Sequence, residues 1–126
     1  MGPMTTRHLR DGSAPALKPL VFQVLLALGD GEPRHGWSII RDLQQRDGFE
    51  GLMPGHFYRT LRAMLASGLI EETRAPARAA EEDDERRRYF RLTRDGLRAA
   101  QIEARRLEAA VLESRAKRLL SPSRRG

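Results

Sequence analysis

The sequence predicts a mainly α-helical fold with a small β-hairpin and a long C-terminal helix. Three observations lead to this prediction. Apolar residues recur at helical spacing in three segments, two short alternating segments rich in β-branched and aromatic residues follow them, and a heptad-like apolar repeat runs through the last third of the chain. A chain of 126 residues, 40% of them hydrophobic, is long enough for one core, so we expect a single domain with loose ends.

The first two helices are predicted from apolar stripes that end at glycines. In "LKPLVFQVLLALGDGEP" the helix ends at Gly29, and its stripe consists of Leu20, Val21, Val24, Leu25 and Leu28. "HGWSIIRDLQQRDG" predicts a shorter helix from about Gly36 to Arg46. Its apolar side is expected to hold Trp37, Ile40 and Leu43, with Ile39 beside them.

The third helix is predicted to begin at Pro54, because proline suits the first helical position. Its apolar stripe is expected in the core and consists of Phe57, Leu61, Met64 and Leu65. The opposite face is small and basic, with His56, Arg59, Ala63 and Ala66 outward, Arg62 on the flank and Tyr58 at the border. No carboxylate occurs between Met53 and Ile70. Gly68 is expected to end the helix in the left-handed conformation, with Leu69 making the accompanying apolar contact.

A hairpin and a last helix complete the predicted order. "LIEETRA" and "RRYFRLT" predict two strands, and "PARAAEEDDER" between them predicts a mobile tip. Thr93 offers an N-cap for a helix from about Arg94 to Leu120. A heptad-like seam on that helix is expected to pack on a second copy of the chain, and it consists of Leu97, Ala100, Ala104, Leu107 and Val111.

The order helix, helix, helix, strand, wing, strand is that of a winged helix-turn-helix, which places its third helix in the major groove of DNA. We therefore expect a flexible basic N-terminal arm over residues 1–16 and a winged helix-turn-helix DNA-binding domain over 17–93. A C-terminal dimerisation helix over 94–120 and a flexible tail over 121–126 would follow.

Three ordered motifs resemble those of PadR-like transcriptional regulators. "HGWSIIRDLQQRDG" is similar to the family's "HGY-x-I" helix, and "PGHFYRTLRAMLASGLIE" is similar to "PG-x-x-Y-R-x-L-x-x-L-x-x-x-G-L-I". "RRRYFRLTRDG" is similar to "R-K-Y-Y-x-L-T-x-x-G". The resemblance implies a homodimeric DNA-binding repressor with the last helix in the dimer interface. One helix after the wing indicates the short subgroup of the family.

Departures from the family pattern are also informative. Met53 stands where the family usually has a Ser or Thr N-cap, so that cap is expected to be missing. His56 and Phe57 replace the usual small hydroxyl and aliphatic residues, which leaves the DNA sequence that is read open. Trp37 replaces the usual Tyr and is expected to keep its packing role. The last helix has no aromatic residue, so the drug-stacking site of some relatives is not expected.

Candidate DNA contacts follow from the third helix and the wing. His56 and Arg59 could donate to base edges, while Tyr58 and Arg62 could hold phosphates. At the wing base a basic cluster could neutralise further phosphates, although the adjacent "EEDDE" would pair with it or repel the DNA backbone. This cluster consists of Arg86, Arg87 and Arg88.

Several classes of function are disfavoured. The chain has no cysteine, and its three histidines and its "EEDDE" run lack metal-ligand spacing, so neither a metal nor a cofactor is expected. His35 is interpreted as structural. No serine has a convergent base, so an enzyme is not expected. The absence of a long apolar run or a signal peptide predicts a cytoplasmic protein with no membrane partner.

Two functional hypotheses remain. The first is a sequence-specific DNA-binding transcriptional regulator, a ligand-responsive homodimeric repressor that binds double-stranded DNA at a pseudo-palindromic operator. Its small-molecule effector is not identified by any residue pattern. The second is a winged-helix protein–protein interaction module without specific DNA binding, which the modest net charge of +6 and the acidic wing tip favour slightly.

Overall fold

A computed structural model of the chain describes residues 14–74 and 88–120. Within these ranges lie four helices and three strands, namely α1 (Pro19–Ala27), β1 (Arg34–His35), α2 (Gly36–Gln44), α3 (Pro54–Ala66), β2 (Ile70–Thr73), β3 (Tyr89–Leu92) and α4 (Arg94–Ala116). The predicted order of elements is confirmed, with β1 as an additional strand. Most of the expected N-terminal arm, the wing tip and the C-terminal tail lie outside the described residues.

The three strands form one antiparallel sheet in the order β1-β3-β2. Ile70 pairs with Leu92 across β2 and β3, and His35 pairs with Tyr89 across β1 and β3. The hairpin of β2 and β3 was predicted from its alternation. β1 has only two residues, which is too short for any alternation to show in the sequence.

A single apolar core lies where α1 meets the other three helices and the sheet. The predicted stripes of α1 and α3 are in it, with Val21 and Leu65 only partly buried. The N-terminal part of α4 adds Ala99 and Ile102 to the same core. Its other buried apolar side chains include Val24, Leu25, Leu28, Ile39, Ile40, Leu43, Phe57, Leu61, Met64, Ile70 and Phe90.

Trp37 is a correction to the sequence-based prediction, because its side chain is 53% exposed and has no place in the core. Ile39, Ile40 and Leu43 fill the core side of α2. At 100° per residue, Trp37 lies about 110° away from the centre of that side. The packing role that the family resemblance implied for Trp37 is therefore wrong for this chain.

The two ends of α3 agree with the prediction. Met53 stands at the N-cap with no capping side-chain hydrogen bond. At the other end Gly68 has φ +81°, its N–H donates to the Leu65 carbonyl at 3.2 Å, and the Leu69 N–H donates to the Met64 carbonyl at 3.0 Å. These two bonds form a Schellman motif, and Leu69 packs against the core as expected.

The start of α4 is fixed by its cap and by a close backbone approach. Thr93 caps the helix, since its Oγ1 accepts from the Gly96 N–H at 2.9 Å. Gly96 passes so close to the preceding chain that an added Cβ would lie 1.9 Å from the Leu69 carbonyl oxygen. Only glycine therefore fits at this crossing.

The end of α4 differs from the prediction. The helix was predicted to run to Leu120, but it ends at Ala116, one turn earlier. Arg118 adopts φ +63°, and the Leu119 N–H bonds back to the Ser114 carbonyl at 2.8 Å. This is a left-handed helix end formed without a glycine, so the sequence carries no stop signal for it.

Candidate nucleic-acid interface

The surface of α3 divides into a buried and an exposed face, as its spacing predicted. Phe57, Leu61 and Met64 are buried, while His56, Arg59 and Arg62 are exposed. At 100° per residue, Arg59 lies near the centre of the exposed face. His56 and Tyr58 lie at its two edges, about 160° apart, so the helix brings Tyr58 and Arg62 together on one edge and leaves His56 on the other.

Tyr58 is held where α2 meets α3. Its ring packs edge-on against Phe57, with ring centroids 4.9 Å apart. Gly36 makes room for it, because a Cβ at that position would lie 3.0 Å from the Tyr58 Cε1 atom. The phenol is therefore half-buried and fixed in position at the border of the exposed face.

The guanidinium groups of Arg59 and Arg62 have no hydrogen-bond or ion-pair partner within the described ranges. The Arg59 side chain runs toward the start of α3, since a Cβ on Gly55 would lie 3.5 Å from its Nη1 atom. Other arginines in the described chain pair with carboxylates at 2.6–2.8 Å, namely Arg34 with Asp30, Arg46 with Asp42, Arg91 with Glu71 and Arg106 with Glu103. The exposed face of α3 therefore carries positive charge that no nearby carboxylate neutralises.

The wing-base cluster is described only at Arg88, because Arg86 and Arg87 lie outside the described residues. Arg88 makes a bidentate ion pair with Glu72, at 2.7 Å from Nε and 2.9 Å from Nη2. Its guanidinium also lies 5.6 Å from the centroid of the Phe90 ring. The carboxylate that meets Arg88 in the structure is thus on β2.

Both members of this pair have shifted pKa values. The side-chain hydrogen bonds from Arg88 lower the pKa of Glu72, and the same bonds raise the pKa of Arg88. A lowered carboxyl pKa means that the contact is present above the ordinary Glu range and is lost as the pH falls through the folded-state value. At neutral pH, Glu72 therefore competes with any phosphate for Arg88.

A cleft of about 440 Å³ lies beside α3, between the start of α2 and the sheet. Trp37, Tyr58 and Phe90 supply aromatic walls, and Arg62 and Arg88 supply positive charge. The sequence analysis identified Tyr58, Arg62 and Arg88 as candidate contacts but assigned Trp37 to the core. The signal that could have found Trp37 is its angular distance from Ile39, Ile40 and Leu43 on the helix.

His35 has a structural role, as interpreted from the sequence. Its Nδ1 atom accepts from the Ser38 N–H at 3.1 Å and so caps α2. Its ring also meets the Tyr89 ring edge-on at 5.4 Å. Among the residues that the structure describes, no group of three or more His, Asp or Glu side chains could hold a metal ion.

The predicted seam of α4 is largely uncovered in the single chain. Leu97, Leu107 and Val111 are 44%, 42% and 40% exposed, Ala104 is exposed, and Ala100 is half-buried against the core. The neighbouring face of the helix is the one that packs on its own domain.

Residues 14–17, which precede α1, are fastened to α4. Glu103 is buried, and its Oε1 atom accepts from the Leu17 N–H at 3.1 Å and from Arg106 Nη1 at 2.6 Å. Arg106 Nη2 donates to the Ala14 carbonyl. We refer to Ala14, Leu17, Glu103 and Arg106 as the clasp. Because of the clasp and the Gly96 crossing, the first half of α4 is a fixed part of the winged domain.

None of the helices in residues 14–74 and 88–120 has both the length and the apolar character that crossing a bilayer requires.

Solved structures of transcriptional regulators share this fold. A Streptococcus transcriptional regulator is 21% identical with a TM-score of 0.63, over 79% of this chain and 91% of that one. A mutant of Lactococcus lactis ZitR is 19% identical with a TM-score of 0.60, over 79% of this chain and 59% of that one. A MarR family regulator from Silicibacter pomeroyi is 20% identical with a TM-score of 0.52, over 98% of this chain and 74% of that one. This chain thus spans 59% of the length of the ZitR chain.

The fold prediction, a winged helix-turn-helix followed by a long C-terminal helix, is confirmed by these likenesses. No curated protein matches the chain. A family model described as the transcriptional regulator PadR-like family matches residues 24–102, from α1 into α4. This match covers more than half of the sequence, includes all three motifs and agrees with the expectation of a regulator rather than an enzyme. The chain belongs to the transcriptional regulator PadR-like family.

Proposed function

We propose that the chain is a sequence-specific DNA-binding regulator that inserts α3 into the major groove. The observation that carries this proposal is the exposed face of α3, where Arg59 and Arg62 are free of carboxylate partners within the described chain. An unpaired guanidinium can donate to a base or a phosphate without first breaking an ion pair. Arginine to guanine is also the commonest specific contact in the major groove.

The positions on α3 support distinct roles. Arg59, at the centre of the exposed face, is proposed to read a base edge, with His56 as a second donor on one side. Tyr58 and Arg62, on the other edge, are proposed to hold phosphates and fix the register of the helix. Arg88 contributes when a phosphate displaces Glu72, so contact at the wing base is weaker than contact by α3.

A homodimer is proposed from the seam of α4. Leu97, Leu107 and Val111 line one side of a helix whose second half has no covering element in the described chain, and such a helix is unlikely to be stable alone in water. A two-fold dimer would present two copies of α3 to successive major grooves, about one turn apart, on a pseudo-palindrome. Occupancy of such a site in the cytoplasm would block polymerase and repress transcription.

A small-molecule effector is proposed to act through α4. The clasp and the Gly96 crossing join the first half of this helix rigidly to the winged domain. A change in the crossing angle at the seam would therefore move α3 by the same rotation. A ligand that binds one crossing angle better than another would shift the dimer between states that fit and do not fit the operator.

The proposal is tested by measuring binding to the DNA upstream of the chain's own gene, and to genomic fragments, at increasing salt. A regulator that neutralises several phosphates should lose affinity steeply between roughly 50 and 200 mM salt, because bound counterions are released. Binding that is absent on all fragments, or insensitive to salt, would instead favour the protein–protein interaction module.

A further inference from the structure

We propose that Trp37 contacts the sugar–phosphate backbone of bound DNA, so that the DNA-binding surface extends from α3 across the 440 Å³ cleft to the start of α2. This inference rests on the proposed function and adds to it a contact residue that lies outside α3. The occupant is the flanking DNA strand, and the argument has three steps.

The first step is that Trp37 has no structural task in the chain. Its side chain is 53% exposed, and the core side of α2 is complete without it. A scattered exposed apolar side chain needs no explanation, but Trp37 is not scattered. It forms one wall of a concave site whose other aromatic walls are Tyr58 and Phe90. A large aromatic side chain on the rim of a cleft is typical of a contact residue.

The second step is charge. Arg62 lies in the cleft on one side of Trp37. Arg41, one turn further along α2, lies with Trp37 on a second cleft of about 490 Å³. Neither arginine has a hydrogen-bond or ion-pair partner in residues 14–74 or 88–120. The nearby Asp42 is already paired with Arg46 at 2.8 Å. Trp37 therefore stands as an apolar ridge between two free cations, a surface complementary to a polyanion.

The third step is position. Tyr58 and Arg62, the proposed phosphate contacts, lie on the edge of α3 that faces Trp37 across the cleft. In a helix-turn-helix the helix before the recognition helix crosses the DNA backbone, and here that helix is α2. The DNA backbone alternates phosphates with apolar deoxyribose faces. An indole ring can pack on the sugar and donate its N–H to the phosphate, while Arg41 and Arg62 meet the phosphates on either side.

Trp37 is the only tryptophan in the sequence, so its fluorescence tests the proposal on the unmodified protein. Binding of DNA is followed by the anisotropy of a labelled duplex, while Trp37 is excited at the red edge of its absorption, where DNA bases do not absorb. We expect DNA to change the Trp37 emission and to reduce its quenching by acrylamide by about half, because one face of an exposed ring becomes covered.

A substitution gives the second readout. Trp37→Ala should weaken binding about tenfold and by the same factor on specific and random duplexes, because a backbone contact carries no sequence information. Leu26→Ala on α1, where the side chain is 52% exposed and lies outside both clefts, is the matched control and should leave affinity unchanged. Equal melting temperatures of the variants and wild type would establish that the fold is intact.

The outcomes separate the two proposals. A protein that binds DNA while the Trp37 emission, its quenching and the Trp37→Ala affinity stay unchanged would overturn this inference and leave the proposed function standing. A Trp37 emission that responds to benzoate but not to bound DNA would assign the cleft to a small aromatic anion and also overturn it. A protein that binds no DNA at any salt concentration would remove the proposed function and this inference together.

Discussion

Replacement of Gly96 by alanine tests how α4 is joined to the winged domain. In an ordinary helix the change from glycine to alanine stabilises by about 1 kcal/mol. Here the new Cβ would lie 1.9 Å from the Leu69 carbonyl oxygen and 2.9 Å from its carbonyl carbon. Even a weak C–H···O contact requires about 3.3 Å, so the helix start must move by more than about 1 Å.

The cost can be estimated from the contacts at the crossing. Overpacking of this kind costs about 3 kcal/mol, at the upper end of the usual range. The displacement also breaks the bond from the Thr93 N–H to the Leu69 carbonyl, now 3.2 Å long, which is worth about 1 kcal/mol. The gain in helix propensity offsets about 1 kcal/mol of this. We therefore expect Gly96→Ala to lower the free energy of unfolding by about 3 kcal/mol.

The assay is urea unfolding followed by circular dichroism at one fixed protein concentration, since a dimer's stability depends on concentration. Gly55→Ala is the matched control, because Gly55 also lies in the first turn of a helix and its added Cβ would meet only the Arg59 side chain at 3.5 Å. That control should be as stable as wild type or slightly more stable. If Gly96→Ala matched Gly55→Ala in stability, the close crossing of α4 over Leu69 would be wrong.

Two further predictions concern the dimer and the wing. Leu107→Arg places a charge in the seam and should yield monomers by light scattering, whereas Ala109→Arg, on the exposed side away from the seam, should remain dimeric; a dimeric Leu107→Arg variant would refute the interface. Glu72→Gln releases Arg88 and should tighten DNA binding several-fold at fixed salt, whereas Glu71→Gln, which releases a different arginine, should change it less; no difference between the two would exclude Arg88 from the contact.

The sequence was sufficient for the elements with a long period. The stripes of α1 and α3, the Schellman end at Gly68 and the cap at Thr93 could all be predicted, because each depends on residues close together in the chain. β1 could not, since a strand of two residues is defined by its partner β3 rather than by its own pattern. The end of α4 was misplaced because Arg118 adopts a left-handed conformation that glycine usually marks.

The candidate site divides in the same way. Periodicity alone places Arg59 and Arg62 on the exposed face of α3, and the sequence shows that no carboxylate shares that helix. The ion pair of Arg88 with Glu72 depends on the register of β2 against β3, which the sequence does not specify. Trp37 was assigned to the core because hydropathy does not distinguish a core residue from the wall of a cleft.

The central claim, that the exposed face of α3 reads DNA, is tested most directly by Arg59→Ala on a selected genomic binding site and on a random duplex. Arg105→Ala, which removes an equally exposed arginine from α4, is the control. If Arg59 donates to a base, Arg59→Ala should weaken specific binding by about 1–3 kcal/mol, roughly 10- to 100-fold, and weaken random binding much less. Equal losses on both duplexes would assign Arg59 to a phosphate. An affinity for both duplexes as high as that of Arg105→Ala would contradict the claim.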